Sequence, residues 1–405
     1  MTSSDWGRNV GCLLPMPLTW LHISDLHVRS GDSYDRDVVF RALVKSVRRF
    51  RERDGRAPDL VFATGDIAYS GRPDEYVIAT EFFDQLLEAA ELDRCRLYVV
   101  PGNHDVDRDV GRQLIRELGS RTAADEYFHP DAPKLHLTHK LGAFLRWHQR
   151  YFDGIRTVPE NSTCGPVELV QIRGQRLGIL PINTALFCLD DNDHERLFVG
   201  RRCLDASLQE LNGLRADIKI AFMHHPISDL STLERQQIRA GLVDNLDVIL
   251  TGHLHEEGYA VVGMWTARNL YCAAGATYQT RDWPNTASYA TFDGGQVTIF
   301  PIRYEDQPRE VWTVNPSQFP DAARHEMSFP VPSELSFRSL RVPGWDGVYR
   351  VPRPKLGDAA VPAVAIDPRP KRGRSVKVIR AEAEDWPARK QKGTRKTKTR
   401  GRRRS

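Results

Sequence analysis

Cysteine is scarce in this 405-residue sequence, and the six present are scattered. No two form a C-x-x-C pair, which excludes a zinc ribbon or a redox dithiol of that kind. Cys95 and Cys272 border apolar runs and read as core residues. No run of about 18 apolar residues occurs, so no membrane span is expected. The apolar stretch Val10–Leu21 is broken by Pro15 and Pro17. It has no positive leading region and no small-residue cleavage site, so it does not read as a signal peptide. These absences point to reduced thiols in the cytoplasm. The 29 glycines and 25 prolines follow no collagen-like period, which removes the fibrous classes.

Charge of one sign is also missing from the average, but not from the parts. The formal net charge is +4. Residues 369–405 hold 16 Lys/Arg against 3 Asp/Glu, a net of +13, which leaves −9 for the rest. A basic average is therefore no argument that the body binds nucleic acid.

The body alternates short apolar runs with helical patterns, which argues for a layered α/β fold. Strands are expected over Leu18–Ile23, Asp59–Ala63, Arg96–Val100, Arg176–Leu180, Ile218–Phe222, Asp247–Leu250 and Leu270–Ala274. Helices are expected over Tyr34–Arg53, Glu75–Leu92 and Asp205–Leu214. Val167–Ile172 should pair with Arg176–Leu180 across Arg173-Gly174-Gln175, and Ala287–Phe292 with Gln296–Ile302 around Asp293-Gly294-Gly295. Residues 1–17 read as a disordered lead-in, with Met16 an alternative start. Residues 18–305 form the main domain. Within it, 105–160 carries helical patterns without strands and reads as an inserted helical cap. The Pro-rich stretch 306–354 reads as an extended wrap, and 355–405 as a disordered basic tail.

Five expected strands each end in a polar loop. These are Ser24-Asp25-Leu26-His27, Thr64-Gly65-Asp66, Pro101-Gly102-Asn103-His104-Asp105, His224-His225-Pro226 and Gly252-His253-Leu254-His255. Taken singly, each has a bland reading. Gly-Asp is a common turn, Asn-His-Asp can cap a helix, and a His pair before proline is often only a loop. In open α/β sheets, however, ligands gather beyond the carboxyl ends of strands. Five such loops, each at a strand end, make a two-metal site.

The ordered blocks D-x-H, G-D, G-N-H-D, a His before H-P, and G-H-x-H resemble the calcineurin-like metallophosphoesterase superfamily over roughly Leu18 to Tyr304. The resemblance implies a four-layer α/β/β/α sandwich. It implies one metal held by Asp25, His27, Asp66 and His255, and another by Asp66, Asn103, His224 and His253. Mixed N/O ligation suits Mn, Fe, Zn or Co. A metal-bridging hydroxide would attack phosphorus in line. His104 is the expected acid for the leaving oxygen, with Asp105 orienting it. His225 and Tyr69 are expected behind the ligands or facing substrate.

Departures narrow the branch. The phosphoprotein-phosphatase pattern G-D-x-V-D-R-G is absent, and the third block ends in Asp105. D-x-H, G-N-H-D and H-H-P together resemble the bacterial cyclic-nucleotide and glycerophosphodiester branch. The expected function is therefore a cytoplasmic phosphodiesterase for a small diester, with the insert shaping its pocket. One alternative is a nuclease of the same superfamily, tethered to nucleic acid by residues 369–405. The other is a non-catalytic scaffold of the same fold.

Overall fold

Apolar, β-branched and aromatic runs set the strands, and the computed structural model shows how they assemble. It describes residues 16–331, except 32–33, 112, 115–117, 130, 133–137, 160, 190–192 and 265–266. In chain order the first elements are β1 (Leu18–Ile23), α1 (Tyr34–Asp54), β2 (Leu60–Ala63), α2 (Pro73–Ala90) and β3 (Leu97–Val99). Next come α3 (Arg108–Gly111), α4 (Arg121–Tyr127), α5 (Gly142–Tyr151), β4 (Glu168–Ile172) and β5 (Gln175–Pro181). Then follow α6 (Arg201–Gly213), β6 (Ile218–Phe222), α7 (Arg235–Asn245), β7 (Val248–Thr251), β8 (Gly258–Met264) and β9 (Ala267–Ala273). The last are β10 (Thr286–Asp293), β11 (Gln296–Glu305), β12 (Val311–Val314) and β13 (Met327–Pro330).

Two mixed sheets result. One runs β12-β11-β10-β1-β2-β3, with β13 also on β11; the other runs β4-β5-β6-β7-β9-β8. β1, β2 and β3 are parallel, as are β5, β6, β7 and β9. Parallel strands of this kind are buried on both faces, which explains their near-continuous apolar sequences.

Alternate residues go to opposite faces. Trp20, Phe62 and Tyr98 of the first sheet meet Ile179, Ile220, Phe222 and Leu250 of the second, forming the central core. Leu21, Val61 and Leu97 turn outward against α1 and α2. Leu180, Ala221 and Ile249 turn outward against α6 and α7. The order of layers is helix, sheet, sheet, helix.

The insert packs onto these layers. Phe144, Trp147, Tyr151 and Phe152 join the core beneath α2. Trp147 Nε1 donates to Thr80 Oγ1 at 2.9 Å, and Tyr151 Oη to Asp84 Oδ1 at 2.7 Å. Leu118, Ala124, Tyr127 and Phe128 join the core of the other half. The apolar stripes that mark these helices in the sequence are used to brace the two halves.

Three differences from the sequence reading have plain causes. Residues 306–331 do not begin a separate wrap: β12 and β13 both pair with β11 and extend the first sheet. Trp312 is fully buried, and its Nε1 donates to the Val39 carbonyl of α1 at 3.1 Å. α7 escapes the pattern because only Ile238, Leu242 and Val243 face the core. Cys95 is exposed, not core, because it lies in the one-turn helix before β3; Cys272 is buried. Residues 1–15 of the expected lead-in and the chain from 332 onward, including the basic tail, lie outside the described residues; Met16 N donates to the Arg173 carbonyl at 3.2 Å. Among the described residues no helix is long and apolar enough to cross a membrane, and the five cysteines are unpaired.

Candidate metal centre

The carboxyl ends of β1, β2, β3, β6 and β7 each deliver one loop to a common edge. Backbone bonds lock these loops together. Asp25 N donates to the Gly65 carbonyl at 3.0 Å, His27 N to the Asp66 carbonyl at 2.9 Å, and Gly252 N to the His224 carbonyl at 3.0 Å. Asp25, His27, Asp66, His253 and His255 all have left-handed backbone, with φ of 55°, 46°, 51°, 71° and 57°. Such conformations cost roughly 1–3 kcal/mol each and persist where the surroundings over-determine them. Two glycines permit the close approach. A Cβ at Gly102 would lie 2.2 Å from Asp66 Oδ1, and one at Gly252 would lie 1.9 Å from Ser24 Oγ.

Two groups of donors result. Asp25, His27, Asp66 and His255 bring ligand atoms within 4.8 Å of one another. His224, His225 and His253 form the second group on the same measure. Asn103 Oδ1 joins it, 3.1 Å from His224 Nε2 and 3.1 Å from His253 Nδ1. Asp66 faces both groups. Its Oδ2 is 3.2 Å from His27 Nε2 and its Oδ1 is 3.3 Å from His224 Nε2.

Each imidazole is aimed by a partner on its far side. His27 Nδ1 lies 3.2 Å from the Tyr278 carbonyl, His224 Nδ1 2.6 Å from the Thr64 carbonyl, and His255 Nδ1 2.8 Å from Gln279 Oε1. That leaves Nε2 inward in all three. His253 is reversed: Nε2 is 3.5 Å from Asp229 Oδ2 and Nδ1 turns inward. Such outer partners fix ring orientation and raise ligand basicity. Tyr278, Gln279 and Asp229 were not found from the sequence. Tyr278 and Gln279 lie in a loop and Asp229 in a one-turn helix, with no motif of their own.

The donor set fits metal ions. Asp25 Oδ1 is buried and takes no hydrogen bond, although His255 Nε2 stands 3.1 Å away. An ionised carboxylate oxygen left this way inside a protein is costly unless a cation meets it. Burial pushes Asp25 and Asp66 up, but the facing histidines outweigh it and hold both carboxyls below the ordinary range. Burial pulls His224 down, yet Asp66 beside it pushes it up to about 9. Binding a cation there would displace that proton. Burial, then His224, pulls His253 down to about 4.

The remaining expected site residues divide. His225 is in the second group by distance, but both its ring nitrogens have protein partners. Nδ1 is 2.8 Å from Thr184 Oγ1 and Nε2 is 3.5 Å from Cys188 Sγ. His104 borders the first group, its ring centroid 4.8 Å from that of His27. Its Nδ1 lies 2.7 Å from the Tyr69 carbonyl, which leaves Nε2 for another partner. Burial lowers its pKa. Tyr69 supplies that carbonyl, and its ring lies 6.3 Å from the His27 ring.

Asp105 does not orient His104. Its carboxylate accepts from Ile67 N (3.1 Å), Ala68 N (2.9 Å), Gly102 N (2.9 Å) and Tyr76 Oη (2.8 Å). It clasps the G-D loop to the G-N-H-D loop, and the Tyr69 carbonyl does the orienting. Burial and the charge of Asp66 push its carboxyl up to about 6, against these donors.

The model for the calcineurin-like phosphoesterase family matches residues 18–257. The chain belongs to this family. It is 25% identical over 258 residues to the uncharacterized metallophosphoesterase-like protein YydB of Bacillus subtilis (strain 168), covering 61% of this chain and 50% of that protein. A 109-residue stretch is 33% identical to the glycerophosphodiester phosphodiesterase GpdQ of Enterobacter lignolyticus (strain SCF1), covering 26% of this chain and 35% of that one. The chain thus spans half or less of the length of these curated relatives. The solved structure of PhoD is similar over 75% of this chain and 69% of that chain, at 12% identity and a TM-score of 0.48. This metallophosphoesterase therefore carries two largely buried groups of His and Asp able to hold metal ions.

Proposed function

We propose that this metallophosphoesterase hydrolyses a small phosphodiester in the cytoplasm. In this reading Asp25, His27, Asp66 and His255 hold one metal ion, and Asp66, Asn103, His224 and His253 the other. The observation that carries it is Asp66, whose two carboxylate oxygens face one histidine from each group at 3.2 and 3.3 Å. When bound, a metal pair acidifies a water and neutralises charge on the phosphoryl oxygens. The mixed donor set suits Mn, Fe, Zn or Co. The Tyr69 carbonyl accepts from His104 Nδ1–H, so His104 in its imidazolium form presents its second proton at Nε2 and gives it to the leaving oxygen. His225 supports the ligands from behind. The combination of D-x-H, G-N-H-D and H-H-P favours a diester, as does the stretch shared with GpdQ.

The test is a substrate panel with each metal supplied separately, read beside metal content. Bis(p-nitrophenyl) phosphate should be cleaved faster than p-nitrophenyl phosphate, and Asp66→Asn should lose both metal and activity. A preference for the monoester would sink the diester reading. Activity surviving Asp66→Asn would sink the two-metal mechanism. The +13 of residues 369–405 supports a second reading, a nuclease held on a polyanion. Deleting 369–405 should then lower cleavage of DNA while sparing the aryl diester.

A further inference from the structure

Beside the donor groups stands a cation that the proposed chemistry leaves unused. Arg29 follows His27 by two residues in the loop after β1 and is exposed. Its Cζ lies 3.4 Å from the centroid of the Tyr69 ring. That ring is 5.1 Å from the His104 ring. The two loops are joined by backbone: Val28 N donates to the Ile67 carbonyl and Tyr69 N to the Val28 carbonyl, both at 2.9 Å. So Arg29 and Tyr69 stand side by side on a fixed support, beside the residue assigned to the leaving oxygen.

Among the described residues no carboxylate pairs with the Arg29 guanidinium. The neighbouring Arg36 pairs with Asp37 and donates to Arg29's carbonyl instead. Stacking on an aromatic face holds a guanidinium by its plane. It leaves the N–H edge open, and that edge matches carboxylate and phosphate oxygens in pairs. A cation over a ring, unpaired among the described residues and at the mouth of a phosphoester site, is placed to receive an anion. Its position beyond His104 makes that anion part of the leaving arm rather than the reacting phosphoryl group.

We propose that Arg29, positioned by Tyr69, binds a second anionic group on the leaving arm of the substrate. The enzyme then selects diesters whose leaving alcohol carries a further phosphate or carboxylate. This rests on the phosphodiesterase reading above and names its substrate class.

Two matched pairs of diesters test it. One pair is methyl 3-carboxyphenyl phosphate and its uncharged 3-carbamoyl analogue. The other is dithymidine monophosphate with and without a terminal phosphate. The wild type should prefer the anionic member in at least one pair by tenfold or more in kcat/KM, mainly through KM. Arg29→Ala should reduce that ratio to near one, and Arg29→Lys should keep part of it. A preference confined to the second pair identifies a nucleotide arm; one in the first pair identifies a general anion site. No preference in either pair overturns the proposal. So does an equal loss on both members in Arg29→Ala, which would make Arg29 a packing residue only. A wild type active on bis(p-nitrophenyl) phosphate but without preference overturns only this inference. A wild type inactive on every diester overturns the phosphodiesterase reading with it.

Discussion

Replacing Asp105 by asparagine should unfasten the site rather than misdirect its acid. The native carboxylate takes two donors on each oxygen: Ala68 N and Tyr76 Oη on Oδ1, Ile67 N and Gly102 N on Oδ2. An amide keeps one acceptor and puts an NH2 group against the other two donors. Two bonds to a charged acceptor are lost, worth about 1.5–3 kcal/mol each. The expected loss is therefore about 3–6 kcal/mol. For about 300 residues a kcal/mol moves Tm by roughly 1.5–2 °C, so Tm should fall by about 5–12 °C. Tyr76→Phe removes a single bond and should cost about half as much. Melts belong at pH 8, where a carboxyl pushed up to about 6 is ionised. The pH profile of kcat for Asp105→Asn should keep the limb that His104 sets. A variant that melts within about 2 °C of wild type, but whose kcat profile is displaced, would refute the clasp and restore Asp105 as the partner of His104.

Three other outcomes are expected. His104→Gln should slow diesters with poor alkyl leaving groups by roughly 10²–10⁴-fold and aryl diesters far less, because only the former need a proton on departure; leaving-group dependence of kcat checks this. Asp229→Ala should weaken metal binding by roughly 10–100-fold by freeing His253, read by metal titration, while a Tm without metal should change little. Burial holds His148 of α5 down to about 3, against an ordinary value near 6.5. The native ring stays neutral while the unfolded chain takes up a proton, so its contribution is intact above pH 6.5 and is lost as pH falls towards 3, by up to about 1.4 kcal/mol per pH unit. His148→Phe should flatten that part of the stability curve between pH 6 and 4; an unchanged slope would mean the ring is not held neutral.

Strand positions were legible because parallel strands buried on both faces must be apolar throughout. Leu18–Ile23 and Ile218–Phe222 form as read, and the hairpin around Gly294-Gly295 closes as expected. β12 and β13 were illegible because each is four residues long and is stabilised by pairing with β11, a partner set by the tertiary fold. α7 shows the same limit for helices: three apolar positions suffice where the neighbouring layer supplies the rest of the core.

The sequence by itself determined the family, the layered α/β class and the order of the metal-capable loops. A metal ligand must be a particular residue type at the end of a particular strand, and that constraint is written locally. Only the tertiary structure decided what stands behind each ligand. Gln279 aims His255, Asp229 faces His253, and Thr184 with Cys188 occupies His225. It also turned Asp105 from a helper of His104 into a clasp between two loops. These partners are joined through space by whichever polar group reaches them, so no spacing in the chain marks them in advance.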